Sequence, residues 1–192
     1  MKEKTDFILE VFKDRRTVFT FNELGLLLGE TDSNRLKQKV NYFVRRQRLL
    51  NIRKGIYAKK DYNPEELACK INTPSYLSLE YVLRKAGAIF QYSASFTVVS
   101  YLSRTLEVDG QGIQYRRIKE SILVDTTGIE RLPEGINIAE PERAFLDLLY
   151  LDQEFHLDHP HVLKRKRILE ILPIYGSNAL NEKVHTLLSE FK

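Results

Sequence analysis

The chain has 192 residues, 43% of them hydrophobic, and a formal charge of +4 from 30 Lys or Arg against 26 Asp or Glu. That length suits one large domain or two small ones, and a single cysteine, Cys69, excludes an internal disulfide framework and a multi-cysteine zinc site and reads as a small apolar filler. No stretch is long and apolar enough to span a bilayer, and charges interrupt MKEKTDFILEVFKDRR before a signal-peptide apolar region forms, so the expectation is a cytoplasmic protein without membrane contact.

Phe7, Ile8, Val11 and Phe12 recur at helical spacing and predict a first helix over residues 5–13. Thr17 to Phe19 is a short β-prone piece. Thr20 followed by Glu23 is a capping box, in which each side chain satisfies a free amide at a helix start, and the second, short helix stops at Gly29. The polar turn ETDSN, with Ser33 or Thr31 as N-cap, leads into a third helix reaching about residue 47. On a wheel of about 100° per residue, Leu36, Val40, Phe43 and Val44 share one face. Arg35, Gln38, Asn41, Tyr42, Arg45 and Arg46 lie opposite, mixing cations with side chains that make directional hydrogen bonds. LLNIR and IYAKK then form two β-compatible runs joined through Lys54 and Gly55, the latter able to take the positive φ of a tight hairpin turn.

Three helices followed by a hairpin read as a winged helix-turn-helix over residues 1–62. Those residues carry 15 basic against 8 acidic side chains, a formal +7, whereas residues 63–192 carry 15 against 18, a formal −3. From Arg35 to Lys60 there are ten basic residues and no acid, where a merely soluble surface intersperses both signs. The expected partner is therefore double-stranded DNA. Arg35, Gln38, Asn41, Tyr42 and Arg46 are expected to read base edges in the major groove, and Arg45, Arg53, Lys54, Lys59 and Lys60 to hold phosphates.

Residues 63–192 read as a second, α+β domain. Pro64 suits a first helical turn, with Leu67, Ala68 and Ile71 apolar, and a second helical piece over residues 78–85 follows Thr73-Pro74. From Tyr92 to Ile138 the pattern changes to period two: SFTVVSYL, GIQYRRI, SILVDTTGIERL and GINIA predict a small, mostly antiparallel sheet, punctuated by Asp109-Gly110 and Pro133-Glu134-Gly135. EPERAFLDLLYL continues as a helix from Pro141, with Ala144, Leu148 and Leu151 on one side. Two amphipathic helices over residues 162–172 and 178–191 end the pattern. No phosphate-cradling glycine loop, nucleophile elbow or HExxH sequence is present, so the reading is non-enzymatic and without a cofactor. His156, His159 and His161 with Asp158 match no strong metal motif and read as an exposed loop. Arg143 and Asp147 read as a local ion pair or a helix–sheet contact, and the KRKR run at 164–167 as a solvated helix start.

FTFNELGLLLG, VNYFVRRQRLLNIRKGIYA, TPSYLSLEYVLRKAG and INIAEPERAFLDLLYL, in that order from about Val18 to Leu151, resemble the AbiEi-type antitoxins and transcriptional regulators of bacterial abortive-infection (type IV) toxin–antitoxin systems. Glu140 stands before Pro141 where a small capping residue such as Ser is expected. The resemblance implies an N-terminal winged helix that binds the promoter of its own operon, and a C-terminal domain needed for antitoxicity. It further implies antagonism of a nucleotidyltransferase-like toxin without a stable complex. The alternatives are a plain transcriptional regulator and a protein-interaction module whose basic third merely steers encounter.

Overall fold

Two stretches of apolar periodicity build two units of an α+β chain. The computed structural model describes residues 7–90, 95–152 and 157–190. One unit comprises Met1–Ile71 with Pro133–Gly135, the other Asn72–Leu132 with Ile136–Lys192.

The first unit runs α1 (Phe7–Lys13), β1 (Val18–Thr20), α2 (Phe21–Leu28), α3 (Ser33–Arg45), β2 (Leu50–Arg53), β3 (Ile56–Ala58) and α4 (Pro64–Ile71). The capping box at α2 forms as expected: Glu23 N donates to Thr20 Oγ1 at 3.2 Å and Thr20 N to Glu23 Oε2 at 2.7 Å. The helix closes at Gly29, whose φ of 59° suits glycine. At α3 the N-cap is Asp32, not Ser33 or Thr31. Its carboxylate accepts from Asn34 N at 2.9 Å and Arg35 N at 3.2 Å, and an ionised acceptor gains from the helix dipole where a hydroxyl gains less. The helix stops at Arg45, short of residue 47, because Gln47 turns left-handed at φ 54° and Arg48 N folds back onto Phe43 O at 2.9 Å.

An antiparallel sheet in the order β1-β3-β2 closes this unit, with Tyr57 opposite Phe19 on one side and Asn51 on the other. Its core gathers Phe7, Val11, Phe19, Leu24, Leu36, Val40, Leu49 and Tyr57, and the Phe43 ring stacks on Phe7 at 4.7 Å. Each large apolar side chain fully buried here contributes roughly 1.5–3 kcal/mol. Helix α4, assigned to the second domain on sequence grounds, belongs to this unit. Glu66, wholly buried on α4, accepts from Thr17 N and Thr17 Oγ1 at 2.7 Å and from Val18 N at 2.9 Å, so a carboxylate holds the start of strand β1.

The second unit runs β4 (Ser75–Leu77), α5 (Leu79–Lys85), β5 (Phe96–Ser100), β6 (Arg104–Val108), β7 (Gln111–Arg117), α6 (Glu120–Leu123), β8 (Ile129–Arg131), β9 (Asn137–Ala139), α7 (Pro141–Leu151), α8 (Arg165–Ile171) and α9 (Asn178–Glu190). Its six strands lie in the order β6-β7-β5-β4-β9-β8. The sheet is mixed where a mostly antiparallel one was expected: β5 pairs with β7, and β4 with β9, in parallel. For β5 and β7 the reason is a hairpin turn at Asp109 (φ 50°) and Gly110 (φ 74°), which sends β6 to the outside and returns β7 alongside β5. SILV, expected as strand, instead supplies the last three residues of the single turn α6 and its C-cap, Val124. The Ile122 carbonyl at its end accepts from Arg143 Nη2 at 2.8 Å, so the turn leaves no orphan acceptor there.

Helix α7 is buried from Glu142 to Leu149 rather than along one side only. It carries the Arg143–Asp147 pair, Nε to Oδ1 3.3 Å with neither side chain exposed. Ser78 Oγ donates to Asp147 Oδ2 and Tyr175 OH to Oδ1, each at 2.7 Å, while Tyr76 OH donates to Oδ1 at 3.2 Å and accepts from Arg143 Nη2 at 3.1 Å. Pair and helix–sheet contact are thus one network. Glu140, in place of a small cap, binds Arg167 of α8 through both oxygens at 2.6 and 2.8 Å. No helix among the described residues is long and apolar enough to cross a membrane.

Candidate nucleic-acid interface

Helix α3 buries Leu36 and Val40 completely or nearly so, and that anchoring fixes which side chains face water. Arg35, Gln38, Tyr42, Arg45 and Arg46 are exposed and fall within an arc of about 100°; Asn41 borders them and is half-buried. The Arg46 guanidinium lies over the Tyr42 ring at 5.5 Å, and that ring meets Phe43 edge-on at 5.2 Å, so the pair is held by the core beneath it. Arg35 Nε approaches Asp32 Oδ2 at 3.4 Å in an open, weakly held contact. Lys39 is committed more firmly to Glu30 at 2.8 Å, and this lysine holds the Glu30 carboxyl below its ordinary range.

The hairpin places its cations differently. Lys54 is exposed at the turn beside Gly55, whose φ of 80° is left-handed, and Arg53 is half-buried at the end of β2. Lys60 is exposed. Lys59, by contrast, points inward: its Nζ donates to the Asp14 carbonyl at 2.6 Å and sits 5.8 and 5.9 Å from the Phe12 and Phe19 ring centres. Burial lowers its pKa, against the pull of Asp14 and Glu66.

A cleft of about 490 Å³ brings Arg46, Arg48, Lys59 and Lys60 together with Phe12 and Asp61, whereas Arg53 and Lys54 do not line it. A second concavity joins Tyr42, Phe43, Arg46 and Arg48 with Ile8. Arg48 is the addition the structure makes to the expected set. It lay inside the acid-free run, but beyond the helix by periodicity, and the fold-back at Gln47 is what turns it to the same side as Arg46. Of the other acids near this surface, Asp14 is engaged by Arg16 at 2.7 Å and Glu23 by Lys70 at 2.6 Å, while Asp61 stands in the cleft among the cations. The arrangement offers fixed donors to a polyanion, with an aromatic and two amides among them.

Among the described residues no group of three or more His, Cys, Asp or Glu is placed to hold a metal ion. His159 and His161 lie 5.1 Å apart, ring to ring, and His156 falls outside the described residues.

No protein-family model matches the chain, and no curated protein does. Among solved structures it is similar to the crystal structure of the RV2827C protein from Mycobacterium tuberculosis, with a TM-score of 0.51 at 16% identity over 86% of this chain and 69% of that one. At that identity the likeness concerns the fold alone.

Proposed function

We propose that the first unit is a winged helix-turn-helix and that the protein is a DNA-binding transcriptional regulator. In this reading it has no enzymatic activity, acts in the cytoplasm on the promoter of its own operon, and serves as the antitoxin of a type IV toxin–antitoxin system. The observation that carries DNA binding is the acid-free arc of α3, with Arg35, Gln38, Tyr42, Arg45 and Arg46 exposed together over a buried apolar stripe. Antitoxicity rests on the four motifs that resemble the AbiEi-type family. Antagonism of a nucleotidyltransferase-like toxin would then reside in the second unit.

The test uses the full chain and a duplex from its own upstream region. Log affinity should fall linearly with log salt, by about 0.9 for each phosphate neutralised; salt-independent binding points instead to an interaction module. Gln38→Ala with Asn41→Ala should cost about 1–3 kcal/mol per lost base contact in specific binding while random DNA is bound as before. In cells that double variant should derepress the promoter yet still protect against toxin supplied from a separate one. Loss of both, with the protein folded and abundant, overturns the division of labour between the units.

A further inference from the structure

The second unit carries a cleft that DNA binding does not use. It encloses about 720 Å³ and opens where β5 ends at Ser100 and β7 at Arg117, so the carboxyl ends of two adjacent parallel strands form its base. Its apolar wall is Leu123, at the end of α6, and the following Val124, 63% exposed, and Tyr101, 48% exposed, lines it too. Two cations, Arg117 and Lys119, complete the rim; both are exposed, and neither is engaged by a carboxylate among the described residues.

The walls are tied together before any ligand arrives. Ile118 N donates to Ser100 O at 3.1 Å, Ser100 Oγ to Pro74 O at 3.2 Å, and Arg117 N to Ser103 Oγ at 3.1 Å. Arg143 holds α6 from behind through the Ile122 carbonyl. A pre-formed, mostly apolar cleft of this volume with a few convergent polar groups is the ordinary form of a small-ligand site. The charged groups here are two cations, Arg117 and Lys119, and one acid, Glu120, and the exposed apolar surface includes the Tyr101 ring.

We propose that this cleft binds a nucleoside monophosphate, its base against the Tyr101 ring and the Leu123–Val124 wall and its phosphate between Arg117 and Lys119. Aromatic stacking beside paired cations is the chemistry by which proteins hold a single nucleotide. An acidic peptide fits less well. An extended peptide needs a free strand edge, and both strands at the base are interior, β7 between β6 and β5 and β5 between β7 and β4. Glu120, the acid of the lining, offers an acceptor to a sugar hydroxyl or an exocyclic amine.

The experiment titrates the full chain with AMP and CMP, and separately with adenosine, inorganic phosphate and a single-stranded hexanucleotide, following backbone amide resonances. AMP should bind saturably, shifting the amides of Tyr101 and of residues 117–119, with adenosine and phosphate each weaker by about tenfold or more. Arg117→Ala with Lys119→Ala should weaken AMP by about tenfold or more and leave adenosine unchanged. Tyr101→Ala should weaken both, and Tyr101→Phe neither; an unchanged amide spectrum elsewhere shows that each variant folds. Gln38→Ala with Asn41→Ala should leave AMP binding intact, which separates this site from the α3 surface. Absence of saturable AMP binding, phosphate binding equal to AMP, shifts confined to α3, or binding of the hexanucleotide alone overturns the proposal.

Discussion

Lys59 and Lys60 are neighbours in an acid-free run, and the structure gives them opposite tasks that two substitutions separate. The Lys59 ammonium donates to the Asp14 carbonyl at 2.6 Å and lies near the rings of Phe12 and Phe19. A hydrogen bond to a charged group is worth about 1.5–3 kcal/mol and each ring contact about 0.5–1 kcal/mol at a partly exposed site. Because Lys59 is half-buried and partly screened, Lys59→Ala should cost about 2–3 kcal/mol of stability. Lys59→Met keeps the aliphatic stem on the rings and should recover about 1 kcal/mol of that. Lys60→Ala removes an exposed cation and should change stability by no more than about 0.5 kcal/mol, while lowering the slope of log affinity against log salt by about 0.9. Urea unfolding and DNA titration at several salt concentrations, run on the same three variants, give both readouts. If Lys59→Ala leaves stability unchanged and lowers the salt slope as Lys60→Ala does, Lys59 is a phosphate contact and the inward geometry has been misjudged.

The features of the first unit that were legible in sequence are those fixed by neighbours within a few residues. The Thr20–Glu23 box, the stop at Gly29, the Leu36–Val40 stripe and the turn at Gly55 each depend on local chemistry, and each is found as expected. What was not legible depends on distant partners. Glu66 is an acid at the start of a helix until Thr17, 49 residues earlier, turns out to supply its donors. The same limit hid β4, three fully buried residues with no alternation to betray a strand, and β6, whose pairing with β7 is set by the turn that follows it. SILV carries β-branched and apolar residues, yet its backbone is settled by the carbonyl that Arg143 caps.

For the candidate interface the sequence supplied the residue types and the sign of charge but not which cations are free. Periodicity places Arg35, Gln38, Tyr42, Arg45 and Arg46 on one arc because a helix is a local object. Nothing local distinguishes Lys59 from Lys60, since the carbonyl that engages Lys59 lies 45 residues away. The cleft of the second unit was invisible for a related reason. Tyr101, Arg117 and Val124 meet only because a parallel pairing aligns the ends of β5 and β7.

Three further outcomes follow from the geometry. Asp14, held low chiefly by its hydrogen bond from Arg16, and Glu140, held low chiefly by Arg167, have folded pKa values below their unfolded ones. The stability they contribute is full above the unfolded value and is lost as pH falls through the folded one, so unfolding free energy should drop below about pH 4, and Asp14→Asn should flatten that slope. Gln47, left-handed at φ 54°, should gain about 1 kcal/mol on replacement by glycine, read as a higher urea midpoint with DNA binding retained. The Arg143–Asp147 network makes the sharpest demand. Asp147→Asn removes the charge that Arg143 faces at 3.3 Å and sets an amide against three hydroxyl donors, while the guanidinium keeps only the Thr127 and Ile122 carbonyls and Tyr76. An uncompensated buried charge costs about 3–5 kcal/mol. Replacing both members, Arg143→Met with Asp147→Leu, should therefore be less damaging than Asp147→Asn alone. Burial raises the Asp147 pKa against the pull of Arg143 and the three hydroxyls; hydrogen exchange of the α7 amides in the full chain measures the loss where it arises, and a single-variant cost below about 1 kcal/mol would falsify the view that Arg143 depends on the Asp147 carboxyl in the core.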